Sequence, residues 1–352
     1  MSTDPRKPTI RVGARELGRG QPCYLIAEVG TTCLGDLDMA LALVAAAAEA
    51  GMDAVKFQLI DPEQVSDPTA TYPVVVDGKE QRVNMKDMFS RLRFSDTEWQ
   101  RIAAACQAHG VDFFATVDFL AGVDLLERLG TPVHKIGAWD GTYRQLIERI
   151  GRTGKPMLVD LGPTTESEIQ AMVAWYRAAG GSQVLFLHDF HTDQDRQMNL
   201  RAIPYLERTY GWPVGYSSPA LDADLDVAAL TLGAAFIEKR LILDRRQTAF
   251  HAHESSEPAE LKAWVARMRH VERALGMEAV RPSDKDLAGA KLYYRSLCTL
   301  AGVRKGETFS ERNLGAKRPG NGLPTDLMAE VLGRRATRDL GPDTLITRED
   351  FE

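Results

Sequence analysis

The chain has 352 residues and a mass of 38.9 kDa, with 44% hydrophobic and 26% charged residues, the balance of an ordinary globular fold too long for one small domain. Lys and Arg number 43 against 49 Asp and Glu, and the resulting net charge of −6 argues against nucleic acid as a partner. No uncharged apolar run is long enough for a membrane span, no charged start leads into an apolar core as in a secretory signal, and Cys23, Cys33, Cys106 and Cys298 form no close-spaced pair, so a reduced cytoplasmic enzyme is the expectation.

From Tyr24 onward, short apolar runs alternate with helical patterns. The first predicted strand, 24–30, leads to a helix that Asp36 caps, that lines up Ala40, Leu43, Val44 and Ala47 on one face, and that Gly51 stops. A second strand, 54–60, is followed by a long insertion in which 72–76 and 81–83 pair around an Asp77-Gly78 turn, a hairpin expected to lie over one barrel mouth as a lid. The charged 91–101 stretch with Trp99 reads as an amphipathic helix packing that lid. Further strands are predicted at 112–117, 133–138, 156–162, 184–188, 214–217 and 236–243. The helix near 165–180 opens with a Thr165–Glu168 capping-box spacing and turns Ile169, Met172 and Val173 inward. The last helix starts at Pro258, packs Leu261, Trp264, Val265 and Met268 on one side, and ends at Gly276.

Eight such alternations predict an α/β fold, a (β/α)₈ TIM barrel; an open doubly wound sheet is the alternative, but no Gly-rich turn follows the first strand. The barrel is placed at 1–280, a polar linker at 281–290 and a small mainly-β module at 291–352, in which 302–314 and 339–351 resemble each other.

Ile26-Ala-Glu-Val-Gly30, Ala54-Val-Lys-Phe-Gln58, His134-Lys-Ile-Gly137, Gly154-Lys-Pro156, Pro213-Val-Gly-Tyr-Ser217 and Ile237-Glu-Lys239 fall in the order and spacing of the sialic acid (N-acetylneuraminate) synthase family, which this chain resembles from about Tyr24 to Phe351. The tail, with Ala316-Lys-Arg-Pro-Gly-Asn-Gly322, resembles that family's SAF (antifreeze-like, β-clip) domain. The resemblance implies condensation of phosphoenolpyruvate (PEP) with the open-chain aldehyde of an N-acylated amino sugar. It further implies a divalent cation, Mn²⁺ or Mg²⁺, that polarises the aldehyde, and a homodimer in which each SAF domain caps the partner's barrel. By resemblance Lys56 and Lys135 bind PEP, Ser217 offers a hydroxyl to the anion, Glu28 handles the attacking water or the sugar, and Arg318 contacts the acyl group from the other subunit. Strand alternation puts Gln58 on the same face as Lys56, and Arg240 on the same face as Glu238. Asp160, His188, Glu238 and His251 complete the candidate substrate-binding set. A lone Lys in a strand is otherwise a solvated edge residue, and an Arg-Pro-Gly otherwise a turn.

The departures from the family pattern cluster at the chemistry. Thr32-Cys33-Leu34 stands where the family has Asn-His-Asn, Pro219 where one metal-binding His is expected, and Arg240 where the other is. Proline has no donor atom and a guanidinium stays protonated, so the family's metal site is expected to be lost. Two serines expected near the phosphate are Ala138 and Asp160, and a carboxylate there repels a phosphate unless protonated or screened. In one reading Arg240 replaces the cation electrostatically, Glu28 and Arg240 being catalytic. In the other the site is rebuilt for lyase, aldolase or hydrolase chemistry on another acidic or sugar-like substrate, with His188, His191, His251 and His253 as an alternative metal set beside Asp189 or Asp160. A non-catalytic sugar-binding protein is a third reading. His188 is otherwise a core residue, His251 and His253 loop residues, and Cys33 a small apolar residue rather than a nucleophile.

Overall fold

The computed structural model describes residues 9–76, 79–190, 192, 195–218, 220–247, 249–277 and 279–352. The chain divides into two compact units, Met1–Gly276 and Met277–Glu352. In the first, a short hairpin of β1 (Ile10–Val12) and β2 (Arg15–Leu17) precedes β3 (Tyr24–Glu28) and β4 (Ala54–Leu59). The insertion supplies the hairpin β5 (Thr71–Val76) and β6 (Lys79–Asn84). Then follow β7 (Asp112–Val117), β8 (His134–Ile136), β9 (Met157–Asp160), β10 (Val184–His188), β11 (Val214–Ser217) and β12 (Phe236–Arg240). Strands β3, β4 and β7 to β12 form a closed barrel in that order, all neighbours parallel, with β12 returning to β3 so that Arg240 lies opposite Glu28. This is the TIM barrel that the eight alternations predict.

The strands read as apolar runs because both faces are covered, and every residue of β3 and of β10 is buried. The helices bury the faces expected of them. Leu37–Ala50 starts where the Asp36 carboxylate accepts the Met39 amide, buries Ala40, Leu43, Val44 and Ala47, and stops at Gly51 with φ 88°. Each Leu or Val so covered stabilises the barrel by about 1.5–3 kcal/mol. Helix Glu166–Ala178 carries the reciprocal Thr165–Glu168 capping box, and helix Pro258–Leu275 buries Leu261, Trp264, Val265 and Met268.

Several predicted strands overrun the observed ones, chiefly at the C-terminal end. β3 stops at Glu28 rather than at 30, β9 at Asp160 rather than at 162 and β12 at Arg240 rather than at 243, while the predicted 133–138 is reduced to His134–Ile136 with a 3₁₀ turn at Ala138–Asp140. At this rim the backbone leaves the ladder for the βα loops although the residues stay apolar. Trp99, expected against the lid, instead packs on the barrel wall, its ring 5.8 Å from Phe57, 6.1 Å from Phe113 and 5.1 Å from Phe94. The predicted hairpin forms with Thr71 opposite Asn84, and its Asp77-Gly78 turn lies outside the described residues.

In the second unit the segment expected as a linker contains a helix, Asp284–Tyr293, because Ser283 and Asp286 cap it reciprocally. Its β13 (Ser296–Thr299) and β14 (Leu314–Lys317) pair antiparallel over a core that includes Leu297, Val303, Phe309, Leu340 and Ile346. The two similar segments play matching parts: Asn313 accepts the Ser310 amide at 2.7 Å and Asp350 the Thr347 amide at 2.8 Å, both acceptors buried. Val303 and Leu340 bridge the two segments.

Candidate active site at the barrel rim

Alternation along parallel strands sends every second side chain into the barrel, and at the C-terminal rim these side chains meet. Here Glu28 from β3, Lys56 from β4, Glu238 from β12, Lys135 from β8 and Asp160 from β9 form one continuous row. Lys56 is in contact with Glu28 and lies 3.2 Å from Glu238; Lys135 lies 2.7 Å from Glu238 and 3.1 Å from Asp160. All five are buried. Each ammonium therefore holds two carboxylates, and the row carries three carboxylates against two ammoniums.

Burial and pairing pull these groups apart. Burial opposes the Lys135 charge, but Asp160 and Glu238 outweigh it and hold the ammonium above its ordinary range. Burial draws Lys56 down to about 8 against the attraction of Glu238. Glu238 is kept ionised, near 2, because Lys135 and Lys56 overcome its burial. Asp160 is pushed up to about 7 by burial, only partly relieved by Lys135. Asp160, at about 7, and Lys56, at about 8, are thus both placed to change charge near neutrality.

The row opens on a cavity of about 410 Å³ that Glu28, Lys56, Asp160 and Glu238 line together with Gln58, Asp189, Ser217, Arg240 and His251. Lys135 stands behind this lining, 1% exposed. Val65, Met85 and Phe89, from the two short helices flanking the inserted hairpin, form part of the wall. Gly30 keeps room for Gln58: a Cβ there would lie 2.6 Å from the Gln58 Cγ, while its amide donates to Glu28 at 2.7 Å.

Arg240 ends β12 on the cavity side, as alternation with Glu238 requires. Its Nη1 is 3.0 Å from Glu254 Oε2, and the same oxygen is 3.1 Å from His251 Nδ1. His253 is exposed and lies 3.4 Å from the other Glu254 oxygen. His188 is not in the cavity lining: its ring is 1% exposed, Nε2 is 2.6 Å from the Met198 carbonyl and burial depresses its basicity, so it is a core residue. His191 and Pro219 lie outside the described residues. Among the described residues, no three His, Cys, Asp or Glu side chains are arranged to hold a metal ion. Arg240 does not fit the divalent cation the family resemblance implies, because a guanidinium bonded to Glu254 is a fixed positive charge where a ligand would have to stand. Cys33 is buried, its thiol pushed up to about 11 by burial and bonded to the Gly30 carbonyl, the state of an inert thiol. Arg318 belongs to the second unit, exposed, with Nε donating to the Tyr293 carbonyl at 2.7 Å.

The cavity also holds residues that the motifs did not flag. Asp118 follows β7 and Asp140 follows β8, both in the lining, with exposed Trp139 beside them. Burial and the charge of Asp140 push Asp118 up to about 8, and burial pushes Asp140 up to about 6. Their place just past barrel strands is the signal that was available for them.

The chain matches the NeuB family model over residues 43–279 and the SAF domain model over 294–352. An uncharacterised protein of Methanocaldococcus jannaschii is 30% identical across 97% of this chain and 98% of its own length. The N,N'-diacetyllegionaminic acid synthase of Campylobacter jejuni is 28% identical across 92% of this chain and 98% of its own. The crystal structure of an N-acetylneuraminic acid (sialic acid) synthetase from Leptospira borgpetersenii superposes with a TM-score of 0.71 at 25% identity, covering 80% of this chain and 95% of that one. A matching barrel, a matching tail and relatives aligned from end to end leave one conclusion: the chain belongs to the NeuB family, the family of sialic acid synthases and related enzymes, and carries its C-terminal SAF domain.

Proposed function

We propose that this chain forms a carbon–carbon bond between a small anion of the PEP type and the open-chain aldehyde of a sugar derivative, without the family's divalent cation. Relatives named as legionaminic and sialic acid synthases support the general kind of reaction. The observation that carries the reading for this chain is the buried row from Glu28 to Asp160, which sets Lys56 in the lining of a cavity of about 410 Å³ and Lys135 behind it, paired to the lining carboxylates Asp160 and Glu238. Lys56 and Lys135 hold the anion, Ser217 hydrogen-bonds it, and Glu28 serves acid–base work on the water or the sugar. Arg240 contributes fixed positive charge on the β12 side of the cavity. Because both lysines are already paired, an anion enters only as Asp160 takes up a proton and releases part of Lys135. A homodimer in which Arg318 serves the acyl group of the acceptor belongs to the same proposal.

A coupled phosphate-release assay tests this reading, with PEP, a panel of N-acylated amino sugars and a chelator present throughout. Release with at least one sugar is expected, and no release with any of them sinks it. One observation favours a second reading, carbonyl chemistry in a rebuilt site. Lys56 lines the cavity with its amine drawn down to about 8, within reach of imine formation. Borohydride trapping of a carbonyl substrate on Lys56, without phosphate release from PEP, would select it.

A further inference from the structure

If the condensation just proposed is correct, something must protonate the carbonyl oxygen of the acceptor as the new bond forms. Most polar groups of the cavity are already engaged. Glu28 and Glu238 face lysines, Asp160 is shared with Lys135, and Arg240 keeps its protons at any working pH. His251 differs. The residue lines the cavity, its Nδ1 is 3.1 Å from Glu254, and its Nε2 has no hydrogen-bond partner among the described residues.

The backbone holds this ring in place at some cost. His251 is a non-glycine residue in the left-handed region, φ 59°, an arrangement that persists only where the surroundings fix it. They do so from several sides. Its carbonyl accepts the Ser255 hydroxyl at 2.8 Å and the Glu254 amide at 3.0 Å. The preceding Phe250 packs its ring 5.8 Å from Tyr72 of the inserted hairpin, and its carbonyl accepts the Thr31 hydroxyl at 3.4 Å. Glu254 is itself clamped, since one oxygen takes both His251 and Arg240. The bond to His251 keeps this carboxylate below its usual range, with Arg240 assisting against burial. A carboxylate fixed on Nδ1 sets the tautomer and orientation of an imidazole whose other nitrogen is left for a substrate.

We propose that His251, positioned by Glu254, is the general acid that protonates the aldehyde oxygen of the acceptor, so that a His–Glu–Arg cluster stands where a divalent cation would otherwise polarise that oxygen. With PEP as donor and His251 entering as the imidazolium, its Nδ1–H held by Glu254, the PEP methylene carbon bonds to the aldehyde carbon, the carbonyl π pair moves to oxygen, and that oxygen takes the proton from His251 Nε2. Water adds to the electron-poor C2 of the donor and returns a proton to the imidazole; the C2–O bond to phosphate then breaks as the C2 hydroxyl becomes the ketone and passes its proton to the departing phosphate, so that protons and charge balance over the cycle. Charged groups around the dyad are Glu254 and Arg240, with His253 on the far oxygen of Glu254 and Glu28, Lys56 and Glu238 in the same cavity lining. Asp118 and Asp140 are rival acids, but they follow β7 and β8, on the side of the barrel opposite β12.

The test uses the full chain with PEP and the sugar panel, comparing wild type with His251→Ala, His251→Asn, Glu254→Gln and Asp118→Asn. In both His251 variants kcat should fall about 10²- to 10⁴-fold with KM for either substrate little changed. Free imidazole should restore part of the loss in His251→Ala, Glu254→Gln should show a smaller fall in kcat, and the fall in Asp118→Asn should be smaller than that in His251→Asn. His251→Asn keeps a polar group of similar size, and its folding is checked by circular dichroism. Retained kcat in both His251 variants overturns the role, as does a rise in KM alone, or a loss that imidazole does not relieve. Turnover absent from wild type with every sugar overturns the proposed condensation and the role with it, a result distinct from turnover that survives without His251.

Discussion

Lys239 and Lys56 are equally hidden, at 1% and 3% exposure, yet they face opposite sides of the barrel sheet and keep different company. Lys239 points from β12 into the helical layer. There its ammonium reaches Asp226 at 3.0 Å, the Ser218 hydroxyl and the Asp222 carbonyl at 3.1 Å each, and the Ala220 carbonyl. Trp264 adds its indole N–H to the same Asp226 oxygen at 2.7 Å. Every donor of that ammonium is taken, and Asp226 is fully buried. Lys56 points inward to carboxylates that outnumber the ammoniums of their row, with one side open to a cavity. Burial of a charge is thus no sign of function by itself. An unbalanced set of charges beside a cavity is the informative pattern, because a ligand can complete it.

The sharpest way to break this contrast is to remove each lysine. Lys239→Met leaves Asp226 in the wall without its counter-ion and should cost about 3–5 kcal/mol of stability in denaturant unfolding. Lys56→Met should lower kcat/KM by about 10²- to 10³-fold, on the order of 3–4 kcal/mol in the transition state. Its cost to the fold should be smaller, under roughly 2 kcal/mol, since Glu238 keeps Lys135 and Glu28 keeps the Gly30 amide. Similar stability losses for the two variants would erase the distinction between a structural lysine and a site lysine.

Much of this arrangement was legible before any coordinates. Period-two alternation separates Glu238 and Arg240 from Lys239, and Lys56 and Gln58 from Phe57, and capping residues mark the helices at Asp36, Thr165 and Pro258. What sequence could not supply was partnership. That Glu254, fourteen residues beyond Arg240, holds both Arg240 and His251 depends on how the loop after β12 folds back, and no local propensity encodes it. The apolar strand ends misled for a related reason: side chains at a closed rim stay covered by loops after the backbone has left the ladder. The helix at Asp284–Tyr293 was masked by a polar composition that its capping box overrides.

A smaller effect sharpens the comparison within the site itself. Asp160 has Lys135 at 3.1 Å, with Asp189, Glu238 and Lys56 also acting on it, and burial carries it up to about 7. Below that pH it is neutral, does not repel an incoming anion and leaves Lys135 less encumbered; above it the extra negative charge opposes the anion. Affinity for PEP should therefore be greatest in mild acid and fall as pH rises through about 7. Asp160→Ser removes the titrating group and should tighten PEP binding at pH 8 by about ten-fold, roughly 1.4 kcal/mol, while flattening the fall near 7. A separate decline above about 8 should persist in that variant, because Lys56 loses its proton there. Calorimetric titration of PEP across this pH range reads both limbs at once. An Asp160→Ser profile that still falls through 7 would move the responsible proton to another group, with Asp140, pushed up to about 6, next to be replaced.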